Sequence, residues 1–169
     1  AEKSYRYGLQ KSPNNTMLLS NIGNTLHHQG KAREAMEVLE EAIRLDPQYA
    51  HAYNNMGDVY MSLGKNDEAI KAYRRAVELA PGFLVAELNL GISLLLADEV
   101  DPALFCLESV LKRDPHNLEA LLNAGLALHL RGELDKAGQY FEHAIRLDGS
   151  HPLAWLYLGA LLHERGEAD

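Results

Sequence analysis

Few residues of this chain could do chemistry, and most lack the company that chemistry needs. Cys106 is the single cysteine, which excludes an internal disulfide framework and a thiolate-rich metal site and fits a reducing compartment. His27 and His28 are adjacent and so point about 100° apart on a helix. His129 and His163 stand 34 residues apart and could approach, yet two histidines without a carboxylate or thiolate partner make a weak metal site. There is no glycine loop to cradle phosphate and no nucleophile motif, so neither catalysis nor a cofactor is expected of these residues, and metal ligation is not expected either. One polar series is different. Asn21, Asn55, Asn89 and Asn123 recur in steps of 34, and Tyr157 takes the fifth place. An asparagine amide carries one acceptor and two donors on a short neutral stem, which matches the C=O and N–H of a peptide backbone whatever side chains that peptide has.

The elements that position this series repeat with the same period. Gly23, Gly57, Gly91, Gly125 and Gly159 are 34 apart, as are Ala35, Ala69, Ala103 and Ala137, without insertions. Before each glycine comes Ile22, Met56, Leu90, Ala124 or Leu158, and three residues after it Leu26, Tyr60, Leu94, Leu128 or Leu162. These define one amphipathic helix per unit. Four residues after each alanine stand Leu39, Tyr73, Leu107 and Phe141, then Ala42, Ala76, Val110 and Ala144, which define a second. Gly30, Gly64, Gly132 and Gly166 break the chain between helices, Asp98 taking that place in the third full unit. Asp67, Asp101 and Asp135 are placed to cap the second helices, and Pro13, Pro47, Pro81 and Pro115 close units. Glycine within a helix costs about 1 kcal/mol relative to alanine, so its recurrence implies close approach of two helices. Glu87 is anomalous, because a large apolar residue stands at its register elsewhere.

This order of apolar, glycine, alanine, aromatic and proline positions resembles the tetratricopeptide repeat over essentially the whole chain. The resemblance implies an all-α fold, a right-handed superhelix of antiparallel helix pairs. A single array is expected: a half repeat at 1–15, full repeats at 16–49, 50–83, 84–117 and 118–151, and the first helix of a further repeat at 152–169. The asparagine register lies roughly opposite the packing stripe of its own helix, on the face that lines the concave groove in this family. The series is similar to the asparagine ladder in the superhelix of O-linked N-acetylglucosamine transferases, which holds extended substrate polypeptides. With first helices about 10 Å apart and an extended peptide rising about 3.3 Å per residue, one asparagine would meet about every third peptide residue.

An extended peptide is therefore the expected partner of a protein-interaction scaffold. Asn24, Asn54 and Asp58 share the polar face around Asn21 and Asn55, whereas Leu88, Ile92, Leu122 and Leu126 make it apolar toward the C-terminal repeats and would anchor apolar side chains. The inner face carries Asp58, Glu119 and Glu164 but no lysine or arginine, which favours a neutral to mildly basic ligand. The carboxylate clamp of chaperone-binding members is not expected, since Ser20, Val85 and Asn89 stand where its cations would be. The formal net charge of −8 argues against nucleic acid. No apolar run approaches the ~18 residues of a membrane span, so a soluble intracellular protein is expected. Two alternatives remain open. The repeats could recruit substrate within a transferase-like enzyme, or residues 1–12, a second helix without its first, could pack head to tail on residues 152–166 of a neighbour.

Overall fold

A computed structural model of the chain describes residues 15–166. Among the described residues all regular structure is helical. The helices are α1 (Thr16–His28), α2 (Ala32–Leu45), α3 (Ala50–Ser62), α4 (Asn66–Leu79), α5 (Leu84–Leu96), α6 (Val100–Arg113), α7 (Leu118–Leu130), α8 (Leu134–Leu147) and α9 (Pro152–Glu164). The odd-numbered helices thus begin 34 residues apart. They fall into two compact units, one ending at Ala86 and the other beginning at Glu87.

In the first unit, α1 and α2 pair, as do α3 and α4. Leu19, Ile22 and Leu26 from α1 meet Ala35, Leu39 and Ala42 from α2, with Ala52 and Val59 from α3 continuing the same core. In the second unit the equivalent positions are filled by Leu94, Leu107, Val110, Leu121, Leu128, Phe141 and Ala144, none more than 2 % exposed. The recurring glycine makes each pair possible. A Cβ on Gly57 would lie 2.4 Å from the Tyr73 ring, and one on Gly125 would lie 2.5 Å from the Phe141 ring. The apolar area brought together offsets the weak helix propensity of glycine.

The turn between paired helices is uniform, and it explains the recurring spacing of a second glycine set. Gly30, Gly64 and Gly132 all adopt φ of 71 to 76°, the left-handed conformation that side chains disfavour. Asp98 holds φ 62° at the same point, so the third full unit keeps the turn rather than distorting it. A non-glycine residue there costs about 1 kcal/mol, so Asp98→Gly is expected to raise stability by about 0.5–1 kcal/mol. A urea midpoint that stays the same or falls would show that the aspartate side chain compensates.

Two sequence expectations are corrected here. Asp67, Asp101 and Asp135 do not cap the second helices, which start earlier; the capping positions are Lys65, Glu99 and Glu133, without a side-chain capping bond. The aspartates sit in the first turn, where a carboxylate favours the helix dipole instead. The side-chain caps are asparagines on first helices: Asn15 Oδ1 accepts from the Leu18 N–H and Asn117 Oδ1 from the Ala120 N–H, both at 3.0 Å. The rings of His27 and His28 stack with centroids 5.5 Å apart rather than diverging, because side-chain rotation overcomes the backbone offset.

Candidate functional site

The asparagine series divides between the two units. In the first, Asn21 is exposed on α1. Asn55 is engaged: its Nδ2 donates to Ser20 Oγ at 2.9 Å and to Ser20 O at 3.2 Å, which ties α3 to α1. Asn24 is half-buried, and Asn54 is only 5 % exposed. The Asn54 Nδ2 donates to Asp58 Oδ2 at 3.4 Å, while Asp58 Oδ1 accepts from the Tyr73 hydroxyl at 2.7 Å. Burial pushes the Asp58 carboxyl up, against the lowering effects of the Tyr73 hydrogen bond and of His27 and His28. Burial likewise pushes Tyr73 up, reinforced by the Asp58 charge. Asn54 and Asp58 therefore belong to a polar network built into the α3–α4 pair.

In the second unit Leu122 is buried, 6 % exposed, and Asn123 and Tyr157 are half-buried. Asn89 and Ile92 are half-buried on α5 and Leu88 is buried. Leu126 is half-buried on α7. Three of the sequence-flagged residues, Leu122, Asn123 and Tyr157, come together in one cleft of about 410 Å³ between α7 and α9. Leu118, Glu119, Leu153 and His151 complete its lining.

Helical spacing explains this gathering. Leu118, Glu119, Leu122 and Asn123 occupy successive turns of one side of α7, and Leu153 and Tyr157, four apart, do so on α9. Pro152 starts α9 in the first turn, where its missing N–H costs nothing. The Tyr157 ring lies against the buried Phe141 ring, centroids 5.4 Å apart, which holds it at the edge of the cleft. Asn123 donates through Nδ2 to Glu119 O of its own helix at 2.8 Å, leaving Oδ1 as an acceptor. His151 Nδ1 is buried without a hydrogen-bond partner. At the far end of the two helices His129 Nε2 meets Glu164 Oε2 at 2.5 Å, so His129 bridges α7 to α9 through a carboxylate and not through His163. Among the described residues no group of three or more His, Cys, Asp or Glu side chains is placed to hold a metal ion.

Sequence reasoning missed His151 and Leu153, although Leu153 shares the register of Glu119 and was legible by the same period. It also missed a second surface. Phe105 is 76 % exposed on α6 and lines a cleft with Leu111 and Tyr140, two residues that also line a second cleft with His143. Its register holds Glu37, Lys71 and Gln139 in the other units, so its apolar character was a visible departure. The face of α9 away from α8 exposes Trp155 and Leu156, and nothing lies within 4 Å of a Cβ on Gly159. The 1–12 segment expected to pack there lies outside the described residues. No helix among those described is long and apolar enough to cross a membrane.

Comparison with known proteins agrees with this architecture. No curated protein sequence matches the chain. Among solved structures, YrrB, described as a TPR protein with an unusual peptide-binding site, is 22% identical, with a TM-score of 0.87 over 99% of this chain and 86% of that one. MamA 41-end from Desulfovibrio magneticus RS-1 is 24% identical, with a TM-score of 0.84 over 90% of this chain and 86% of that one. A further MamA structure is 28% identical, with a TM-score of 0.77 over 88% and 86%. Family models described as TPR repeat, at residues 23–64, and as tetratricopeptide repeat, at 50–83 and 88–152, together span most of the sequence. With the 34-residue period, the glycine-to-aromatic packing and these matches in agreement, the chain belongs to the tetratricopeptide repeat family.

Proposed function

We propose that this interaction scaffold binds an extended peptide, with the α7–α9 cleft as the principal contact. The observation that carries this reading is the convergence of Leu122, Asn123 and Tyr157 with Leu118 and Leu153. Apolar walls take a peptide side chain, while the Asn123 Oδ1 is left to accept from a backbone N–H. The exposed Asn21 offers the same chemistry on α1. Asn55 contributes differently, since its donor already binds Ser20. The peptide-binding site named for YrrB supports the reading by analogy of fold.

Peptides enriched on the immobilised chain from a random 12-residue display library provide the test. Asn123→Ala combined with Leu153→Ala is expected to weaken them about tenfold, or about 1.4 kcal/mol, in fluorescence anisotropy, with helicity and thermal midpoint near those of the parent. Unchanged affinity, or no enrichment of any peptide, would remove the groove reading.

A further inference from the structure

The polar groups of the α7–α9 cleft are unbalanced in a way that specifies more than a backbone. Glu119 contributes an exposed carboxylate, Asn123 its Oδ1, and His151 a buried Nδ1 without a partner. Tyr157 has the one hydroxyl, and His151 carries a ring N–H on one of its two nitrogens. No lysine or arginine answers the Glu119 carboxylate. Neither α7 nor α9 contains a lysine or arginine along its length. The arginines just beyond these helices are engaged elsewhere, Arg131 with Asp101 and Glu133 and Arg165 with Asp135. Glu119 makes no ion pair among the described residues. Around these acceptors Leu118, Leu122 and Leu153 form an apolar wall, and the Tyr157 ring supplies an aromatic surface beside them.

Resting on the groove reading above, we infer that this cleft takes the side chain of a lysine or arginine from the bound peptide. The aliphatic stem lies along Leu118, Leu122 and Leu153, as long basic side chains cover apolar surface while keeping their charge solvated. The head donates to the Glu119 carboxylate and to Asn123 Oδ1. The Tyr157 ring adds a cation–π contact, which favours arginine over lysine. A glutamate in the same place would face the Glu119 carboxylate with no lysine or arginine to receive it, so acidic peptides are rejected by repulsion as well as by lost attraction.

The display selection described above reads this directly. The enriched pool is expected to carry lysine or arginine at one fixed position. Changing that residue to glutamine in a selected peptide should weaken binding to the parent chain about fivefold, as a partly exposed charge pair allows, and less so as salt is raised. On a Glu119→Gln chain the ratio between the basic and glutamine peptides should fall to near one. On a Glu142→Gln chain, which loses an equal charge on α8 outside the cleft, the ratio should persist. Peptides enriched without a basic position, or a preference that survives Glu119→Gln, would overturn this inference and leave the groove standing. Failure to enrich any peptide would overturn both.

Discussion

Arg113→Leu is expected to lower the stability of the second unit by about 2–4 kcal/mol, the cost of leaving a buried carboxylate without its cation. Glu87 is 8 % exposed on α5, where the equivalent residues Leu19, Tyr53, Leu121 and Trp155 are apolar. Its Oε2 accepts from Arg113 Nη2 and, at 3.1 Å, from the Ser109 hydroxyl. Arg113 is anomalous in the same manner, because Leu45, Leu79 and Leu147 hold its register. One repeat has thus exchanged an apolar pair for an ionic one at both of its members. The exchange need not add stability, since desolvation of two charges opposes their attraction. Glu87→Leu alone is expected to be nearly neutral, because the half-exposed Arg113 can turn its head to water. Restoring both leucines should match the parent or exceed it by about 1–3 kcal/mol. Urea unfolding followed by circular dichroism gives all three values. A loss below about 1 kcal/mol for Arg113→Leu would mean that Ser109 and solvent already satisfy Glu87, and that the arginine is incidental.

The pair also illustrates what the sequence disclosed and what it withheld. Period and residue class were enough to expect helix pairs and their buried stripes, because burial at Leu39, Tyr73, Leu107 and Phe141 depends on local amphipathicity repeated in register. Glu87 was visible as a departure. Its partner lies 26 residues away on the next helix, and only a simultaneous reading of both registers would have paired them. The same limit governs the asparagines. Helical phase places Asn55 away from its own packing stripe, but says nothing of Ser20, 35 residues earlier, which the neighbouring helix brings within 2.9 Å. Asn123 instead turns to a carbonyl of its own helix, a choice set by the side-chain rotamer rather than by spacing. Of the apolar anchors, Leu122 and Leu88 are both buried, at 6 % and 9 % exposed, yet Leu122 edges a cleft because α9 offers Leu153 and Tyr157 opposite it. A wheel projection of one helix cannot contain either fact.

Alanine at two glycines of identical register should have opposite effects. At Gly125 the new Cβ would stand 2.5 Å from one Phe141 ring carbon and 2.8 Å from another, closer than side-chain atoms approach. Phe141 has little room to retreat, being fully buried and backed by the Tyr157 ring. Overpacking of this kind costs about 1–3 kcal/mol even after better helix propensity is counted. At Gly159 nothing lies within 4 Å, so only the propensity remains, and alanine should stabilise by about 0.5–1 kcal/mol. Gly91 supplies an intermediate case, since its neighbour Leu107 approaches to 2.9 Å and a branched aliphatic chain can rotate away more readily than a ring. The expected order of urea midpoints is Gly159→Ala above the parent, then Gly91→Ala, then Gly125→Ala. Phe141→Leu in the Gly125→Ala background should recover part of the loss, because it trims the ring that the methyl group strikes. Equal midpoints for the Gly125 and Gly159 variants would show that the glycine period does not report helix contact. The order as expected would make the same period a local measure of which first helix has a second helix packed against it.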